Sequence, residues 1–136
     1  MNSIHRILID YRVGTEQLFY LLLTRDGELH RRGSLSPFVT ENHLLIAQDL
    51  AKNWFPDISD QIDPEWLKRA GRYHIGVPGH PVRTLVFGFQ LIGGSEVILE
   101  FISSTTVPTL APPDLLAFMQ YLADLTQQDY DRLLIS

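Results

Sequence analysis

A β-hairpin in the second half of the chain is the sequence feature that most constrains the fold. Along residues 82–92, every second side chain is large and apolar: Leu85, Phe87, Phe89 and Leu91. After two glycines at 93–94, residues 96–103 repeat the alternation. This period of two predicts a pair of antiparallel strands joined by a tight turn, with one buried face.

The first third of the chain predicts a second group of strands. Residues 4–12 alternate between apolar and polar side chains, and residues 17–24 are mostly apolar. Asp26-Gly27 then marks a tight turn into a short third strand at 28–32. The charged side chains of that third strand predict an exposed sheet edge.

Helical spacing of apolar residues predicts the remaining elements. Thr40 is a candidate N-cap for a long helix that Pro56 would end. Asp63-Pro64 predicts the start of a short helix that ends near residue 71. The C-terminal region predicts two helices, at 113–125 and 127–134, separated by a capping-box pattern.

Together these elements predict an α+β fold in the order β-β-β-α-α-β-β-α-α. The expected sheet is antiparallel, has about five strands in two hairpin groups, and carries its helices mainly on one face. With 136 residues, 45% of them hydrophobic, the chain is long enough to bury a core as a single domain spanning residues 1–136.

The chain contains no cysteine, which excludes disulfides, thiolate metal sites and a cysteine nucleophile. It also lacks the glycine-rich phosphate-binding motifs, and we therefore expect no cofactor. The apolar run near the N-terminus is short and is interrupted by Arg6 and Asp10. No apolar run reaches the length of a membrane span, so we expect a soluble, cytoplasmic protein.

The overall charge argues against nucleic acid as a partner. The formal net charge is −5, whereas proteins that bind a duplex usually carry a basic surface. A weaker alternative is RNA binding through Arg25, Arg31, Arg32 and the region 69–83.

A segregation of charge marks the candidate ligand site. Four acidic residues between 57 and 65 precede a stretch, residues 66–95, that contains no Asp or Glu. Guanidinium and imidazole groups there could bind a phosphate or a carboxylate. The alternative is that these cations pair with the acidic cluster or are simply solvated. The predicted ligand-binding residues are Arg69, Arg72, Tyr73, His74, His80 and Arg83.

The two histidines of this region also suggest an enzyme. Histidine titrates near neutral pH, so His74 or His80 could act as acid–base while Arg72 or Arg83 holds an anionic substrate. Their spacing of six matches no common zinc motif, and we predict no metal site. The hydroxyl groups at 103–106 lack a nucleophile-elbow motif and are interpreted as a polar strand end.

The lighter face of the predicted sheet suggests a protein interface. It mixes charged side chains with four apolar ones: Leu8, Val86, Ile98 and Ile102. Such a mixture is typical of surfaces that bind protein, unless the short Asp63 helix and the loop through Pro78 cover it. The leading hypothesis is therefore a binding or regulatory module that forms a homodimer and engages a protein partner or small anionic ligand near residues 69–83.

Overall fold

A computed structural model describes residues 4–35, 38–39, 44–50, 53–75, 82–104 and 111–135. Nine strands lie in these ranges: β1 Ile4–Val13, β2 Glu16–Thr24, β3 Leu29–Arg32, β4 Ser34–Leu35, β5 Phe38–Val39, β6 Leu45–Ala47, β7 Gly71–Ile75, β8 Val82–Leu91 and β9 Glu96–Ser104. They are accompanied by helix α1 Phe55–Gln61, a 3₁₀ helix Pro64–Lys68 and the long helix α2 Pro113–Ile135.

Seven of the strands form one sheet in the order β6-β3-β2-β1-β8-β9-β7, and β4 pairs with β5 separately. The two predicted hairpins lie side by side because β1 pairs with β8 along almost its whole length. Every neighbouring pair in the large sheet is antiparallel except β7 and β9, which are parallel. The α+β class is thus confirmed, whereas the prediction of about five antiparallel strands is wrong in number and in the direction of β7.

The helices pack on the heavy face of the sheet, defined here as the face that carries Ile7, Phe87 and Phe89. These three side chains are fully buried. Trp66 of the 3₁₀ helix stacks on Phe89 with ring centroids 6.5 Å apart, and the ring of Phe118 in α2 lies tilted against Phe89 at 6.1 Å. Burial of this apolar face supplies the main stabilisation of the fold.

The predicted helix from Thr40 to Phe55 is wrong where the structure describes it. Residues 45–47 form β6, which pairs with β3, so β3 is an interior strand rather than the predicted edge. Pro56 does not end a helix but lies in the first turn of α1, where its missing N–H costs nothing. Thr40 lies outside the described residues.

Two backbone features explain why residues 44–50 do not form a helix. Asp49 has a φ of 58°, a left-handed conformation that interrupts any helix. The backbone N–H of Leu50 donates a 3.0 Å hydrogen bond to the carbonyl of Gly27, which docks this segment on the β2–β3 turn. The segment whose apolar spacing resembles a helix therefore contains β6, and the backbone of β6 pairs with the N–H and C=O groups at the open edge of β3.

The two predicted C-terminal helices are one continuous helix. The capping-box pattern at Thr126 does not break it, because the Thr126 hydroxyl donates to the Leu122 carbonyl within α2. The short helix predicted at Asp63 is present as a 3₁₀ helix, and the Asp63 carboxylate accepts from the Glu65 N–H at 2.9 Å. Of the helices in the described ranges, none combines the length and apolarity needed to cross a bilayer.

Arg31 joins β3 to α2 from inside the core. Its side chain is fully buried, and its guanidinium lies over the rings of Phe19 and Tyr130 at 5.4 and 4.6 Å. It donates to four neutral acceptors: the carbonyls of Gly33 and Ala123, the Thr126 hydroxyl and the Gln127 side-chain amide. Burial lowers the pKa of Arg31, partly offset by Tyr130, Asp131 and Asp124. The interpretation of Arg31 as part of a solvated basic edge is therefore wrong, and Arg31 cannot contact RNA.

Replacement of Gly27 by alanine tests the docking of Leu50. Gly27 has a φ of 95°, and a Cβ placed there would lie 2.5 Å from the Leu50 carbonyl oxygen. We expect Gly27→Ala to lower the free energy of unfolding by about 2–4 kcal/mol in urea titrations. Gly14→Ala is the control, since Gly14 has a φ of 61° with nothing within 4 Å, and should cost only about 1 kcal/mol. Equal losses would contradict the close approach.

Replacement of Arg31 by lysine tests the buried guanidinium. An ammonium cannot reach four acceptors arranged around a planar fork, so we expect Arg31→Lys to cost about 2–4 kcal/mol in the same assay. The neighbouring Arg32 is only half-buried and has one hydrogen bond, 3.0 Å to Gln17. Arg32→Lys should cost less than about 1 kcal/mol. A similar loss in both variants would rule out a special role for Arg31.

Candidate functional site

The main cavity in the described part of the chain lies on the heavy face, between β7, β9 and the start of α2. Its volume is about 580 Å³. Its apolar lining includes Ile75, Leu99, Phe101 and Leu115, and its polar lining includes Arg69. An open cavity with mostly apolar walls and a few polar groups is the usual form of a binding site.

Tyr73 forms part of the wall that β7 gives to this cavity. Its ring stacks on Phe101 at 5.2 Å, and its hydroxyl donates to the carbonyl of Arg69, at the end of the 3₁₀ helix. Tyr73 and Ile75 are 38% and 39% exposed, so large apolar surface remains open at the cavity mouth. These contacts hold the aromatic ring in place before any ligand arrives.

The predicted cations do not converge on this cavity. Arg69, Arg72 and His74 are among its lining residues, but the Arg72 guanidinium is bound 3.0 Å from Glu100 on the opposite face. Arg83 is not among the described lining residues, and its guanidinium donates to the Ser104 carbonyl at 3.3 Å. His80 lies outside the described residues. Arg69 is left as the cation nearest to an apolar cavity.

The acidic cluster does not neutralise these arginines. Glu65 pairs with Lys68 at 3.3 Å, and Asp63 caps the 3₁₀ helix. Asp57 and Asp60 lie instead near Tyr121, where they add to the effect of burial in raising the pKa of that phenol. The predicted alternative of pairing between this cluster and Arg69 or Arg72 is thus absent from the described part of the chain.

His74 lies in register with Ile102, on the face opposite Tyr73. Within the described ranges it has no hydrogen bond to a side chain that would orient its ring, as an acid–base histidine usually has. The same ranges contain no group of three histidine or acidic side chains arranged to hold a metal ion. Ser103 and Ser104 are buried, in keeping with the end of a strand rather than an exposed nucleophile.

The light face, defined here by Leu8, Val86, Ile98 and Ile102, lies opposite the helices. One row across the sheet runs through Ile46, His30, Leu22, Leu8, Gly88 and Ile98. Ile46 and Ile98 at its ends are 55% and 44% exposed. The 3₁₀ helix does not cover this face, because Trp66 packs on the heavy face; Pro78 lies outside the described residues.

Several charged side chains of the light face already have polar partners on that face. Asp10 binds Arg12 at 3.2 Å and Gln17 at 3.1 Å, and Arg32 donates to the same Gln17. Burial, with a further contribution from Asp10, raises the pKa of the Tyr20 phenol beside them. The face therefore presents apolar side chains among partly paired charges, and the buried Arg32 Nε has no hydrogen-bond partner in the described part of the chain.

A second cavity of about 320 Å³ lies where the 3₁₀ helix meets α2. There the Trp66 indole donates to the Asp114 carboxylate at 2.9 Å. This bond fixes the beginning of α2 against the 3₁₀ helix and so positions one wall of the main cavity.

Sequence reasoning missed the apolar lining of the main cavity. Leu99 and Phe101 lie in the strand predicted at 96–103, and Leu115 lies in the helix predicted at 113–125, so their patterns indicate burial rather than a binding site. The alternation of Tyr73 and Ile75 with two polar residues was the available signal, since it is typical of a strand with one apolar face. Their meeting with α2 depends on the parallel pairing of β7 with β9, which local sequence does not encode.

Comparisons with protein-family models, with curated proteins and with solved structures give no match.

Proposed function

We propose that this protein is a non-enzymatic binding module whose site is the cavity between β7, β9 and α2. The observation that carries the proposal is an apolar cavity of about 580 Å³ with Tyr73 and Ile75 exposed at its mouth. A protein partner would insert an apolar side chain there. We expect the module to act in the cytoplasm and to need no cofactor.

The character of the lining favours a protein partner over a small anion. An anion site requires several donors aimed at one point, and here Arg72 is engaged with Glu100. On the heavy-face side of the cavity, Arg69 is the cation that can recognise a negative group beside the apolar insert. The specificity of the site would therefore come from shape and apolar contact, with one charge at the rim.

A small enzyme using His74 as acid–base is the second candidate. Its support is the position of His74 and Arg72 on the cavity wall. The binding module explains more of the site, because the apolar walls have no role in holding an anionic substrate.

Naphthalene probes test the cavity. We expect 1-naphthoate and naphthalene-1-methanol both to shift backbone amide NMR signals of β7, β9 and the first turn of α2. Ile75→Asp should weaken both by at least about tenfold, because it places a carboxylate against the apolar insert. Binding of the carboxylate alone would favour the small anionic ligand instead.

Ile98→Asp is the matched control for this experiment. Ile98 has nearly the same exposure as Ile75, 44% against 39%, but lies on the light face of the neighbouring strand. Its substitution should leave the dissociation constant of either probe unchanged. Signal shifts far from the cavity, or equal weakening by both variants, would refute the proposed site.

We also propose that two copies associate through the light face. Its internal pairing of charges, such as Arg12 with Asp10 and Arg72 with Glu100, lets it meet its own copy across a twofold axis without strong repulsion. The seven strands span roughly 29 Å at about 4.8 Å per strand spacing. The longest strands have ten residues, or roughly 33 Å at about 3.3 Å per residue, so the area of the face is on the order of the ~800 Å² that each partner contributes to a standard interface.

The same two variants also test self-association, but here Ile98→Asp is the test variant and Ile75→Asp is the control. In sedimentation velocity runs, we expect the native chain to be dimeric, Ile98→Asp to be monomeric and Ile75→Asp to remain dimeric. A carboxylate buried in the dimer interface without a partner is strongly unfavourable, which is the reason for the predicted dissociation. A native monomer, or dissociation by Ile75→Asp alone, would show that the light face is not the interface.

A further inference from the structure

The outer edge of β7 is the feature that extends the proposed function. β7 ends the sheet order, and its partner β9 occupies only one of its sides. All five of its residues are exposed. In a strand of this kind, alternate N–H and C=O groups point away from the sheet, and within the described ranges no backbone group pairs with them.

The two faces of β7 have opposite chemistry. Tyr73 and Ile75 lie on the heavy face at the cavity mouth, as the stacking of Tyr73 on Phe101 shows. Arg72 and His74 lie on the other face, in register with Glu100 and Ile102. A strand added beside β7 would therefore meet apolar side chains on one of its faces and cationic or titratable ones on the other.

We propose that the partner binds as an added strand: an extended peptide segment pairs with β7 and alternates apolar with acidic residues. Its apolar residues would enter the cavity beside Tyr73 and Ile75, and its acidic residues would face Arg72 and His74. This inference rests on the proposed binding function and names the chemical class of the partner.

The geometry gives each part of the segment a separate role. Main-chain hydrogen bonds to the edge supply affinity that is independent of sequence, and the cavity selects side chains at every second position. The Arg72–Glu100 pair does not oppose this arrangement. Arg72 binds Glu100 through Nε and its side chain is 66% exposed, so its terminal NH2 groups can donate to a second carboxylate.

The opposite edge of the sheet, formed by β6, is a poorer acceptor of an added strand. β6 has three residues, and its exposed Ile46 belongs to the light face. The longer β7 edge with its adjoining cavity is therefore the better acceptor of a strand.

The first test uses a capped heptapeptide in which leucine and glutamate alternate, measured by fluorescence anisotropy. A peptide of the same composition with its leucines in one block is the control for side-chain content. We expect the alternating peptide to bind at least about tenfold more tightly. Equal binding of the two peptides would overturn the proposal.

The second test uses two N-methylated forms of the alternating peptide, methylated either at the leucines or at the glutamates. One edge of an added strand pairs with β7 and the other faces solvent, so one form should lose binding and the other should retain it. Equal retention by both forms would show side-chain docking without strand addition.

The third test reverses the charge on the edge. Arg72→Glu should weaken the leucine–glutamate peptide about tenfold and strengthen an alternating leucine–lysine peptide by a similar factor. No exchange of preference would contradict the assigned acidic face.

The naphthalene probes separate the two proposals. If they bind in the cavity while the peptides fail these tests, the cavity site stands and strand addition is wrong. If neither probes nor peptides bind, both proposals are wrong.

Discussion

The buried guanidinium of Arg31 is the interaction on which the arrangement of sheet and helix depends. A charge in the core is tolerated only when its donors are satisfied, and here Gly33, Ala123, Thr126 and Gln127 supply the acceptors. Since three of these belong to α2, the helix is fixed both in rotation and along its axis relative to β3. The main cavity lies near the other end of the same helix, so its shape follows from this contact.

Much of the sheet could be predicted from the sequence because its strands carry their own signals. The alternation through Leu85, Phe87 and Phe89 reports a buried face directly, and Asp26-Gly27 marks a turn. These local patterns predict the α+β class and the two hairpins. These patterns can be recognised without knowing which element each strand pairs with.

The errors lie where a distant contact decides the local structure. The apolar spacing around Leu45 suits a helix, but pairing with β3 makes the segment a strand. The pattern at Thr126 suits a helix break, but its hydroxyl bonds to Leu122 and Arg31 instead. Arg31 itself resembles a surface cation, and only the approach of α2 buries it. For the same reason, the candidate site could be predicted only in part. Its polar residues lie close together in the sequence, whereas its apolar walls come from three separate elements.

The contact between Arg31 and α2 also orders the events of folding. The hydrogen bonds to α2 join residues that are 92, 95 and 96 positions apart in the chain. Most of the sheet can therefore form while the Gly33 carbonyl is the one acceptor of the guanidinium among the four described. Contacts of such long range carry a large entropic cost of loop closure and slow the final step of folding. On the ribosome, where the N-terminal strands emerge first, Arg31 must remain hydrated until residue 127 has left the exit tunnel. Docking of the C-terminal helix is thus the event that removes the Arg31 guanidinium from water.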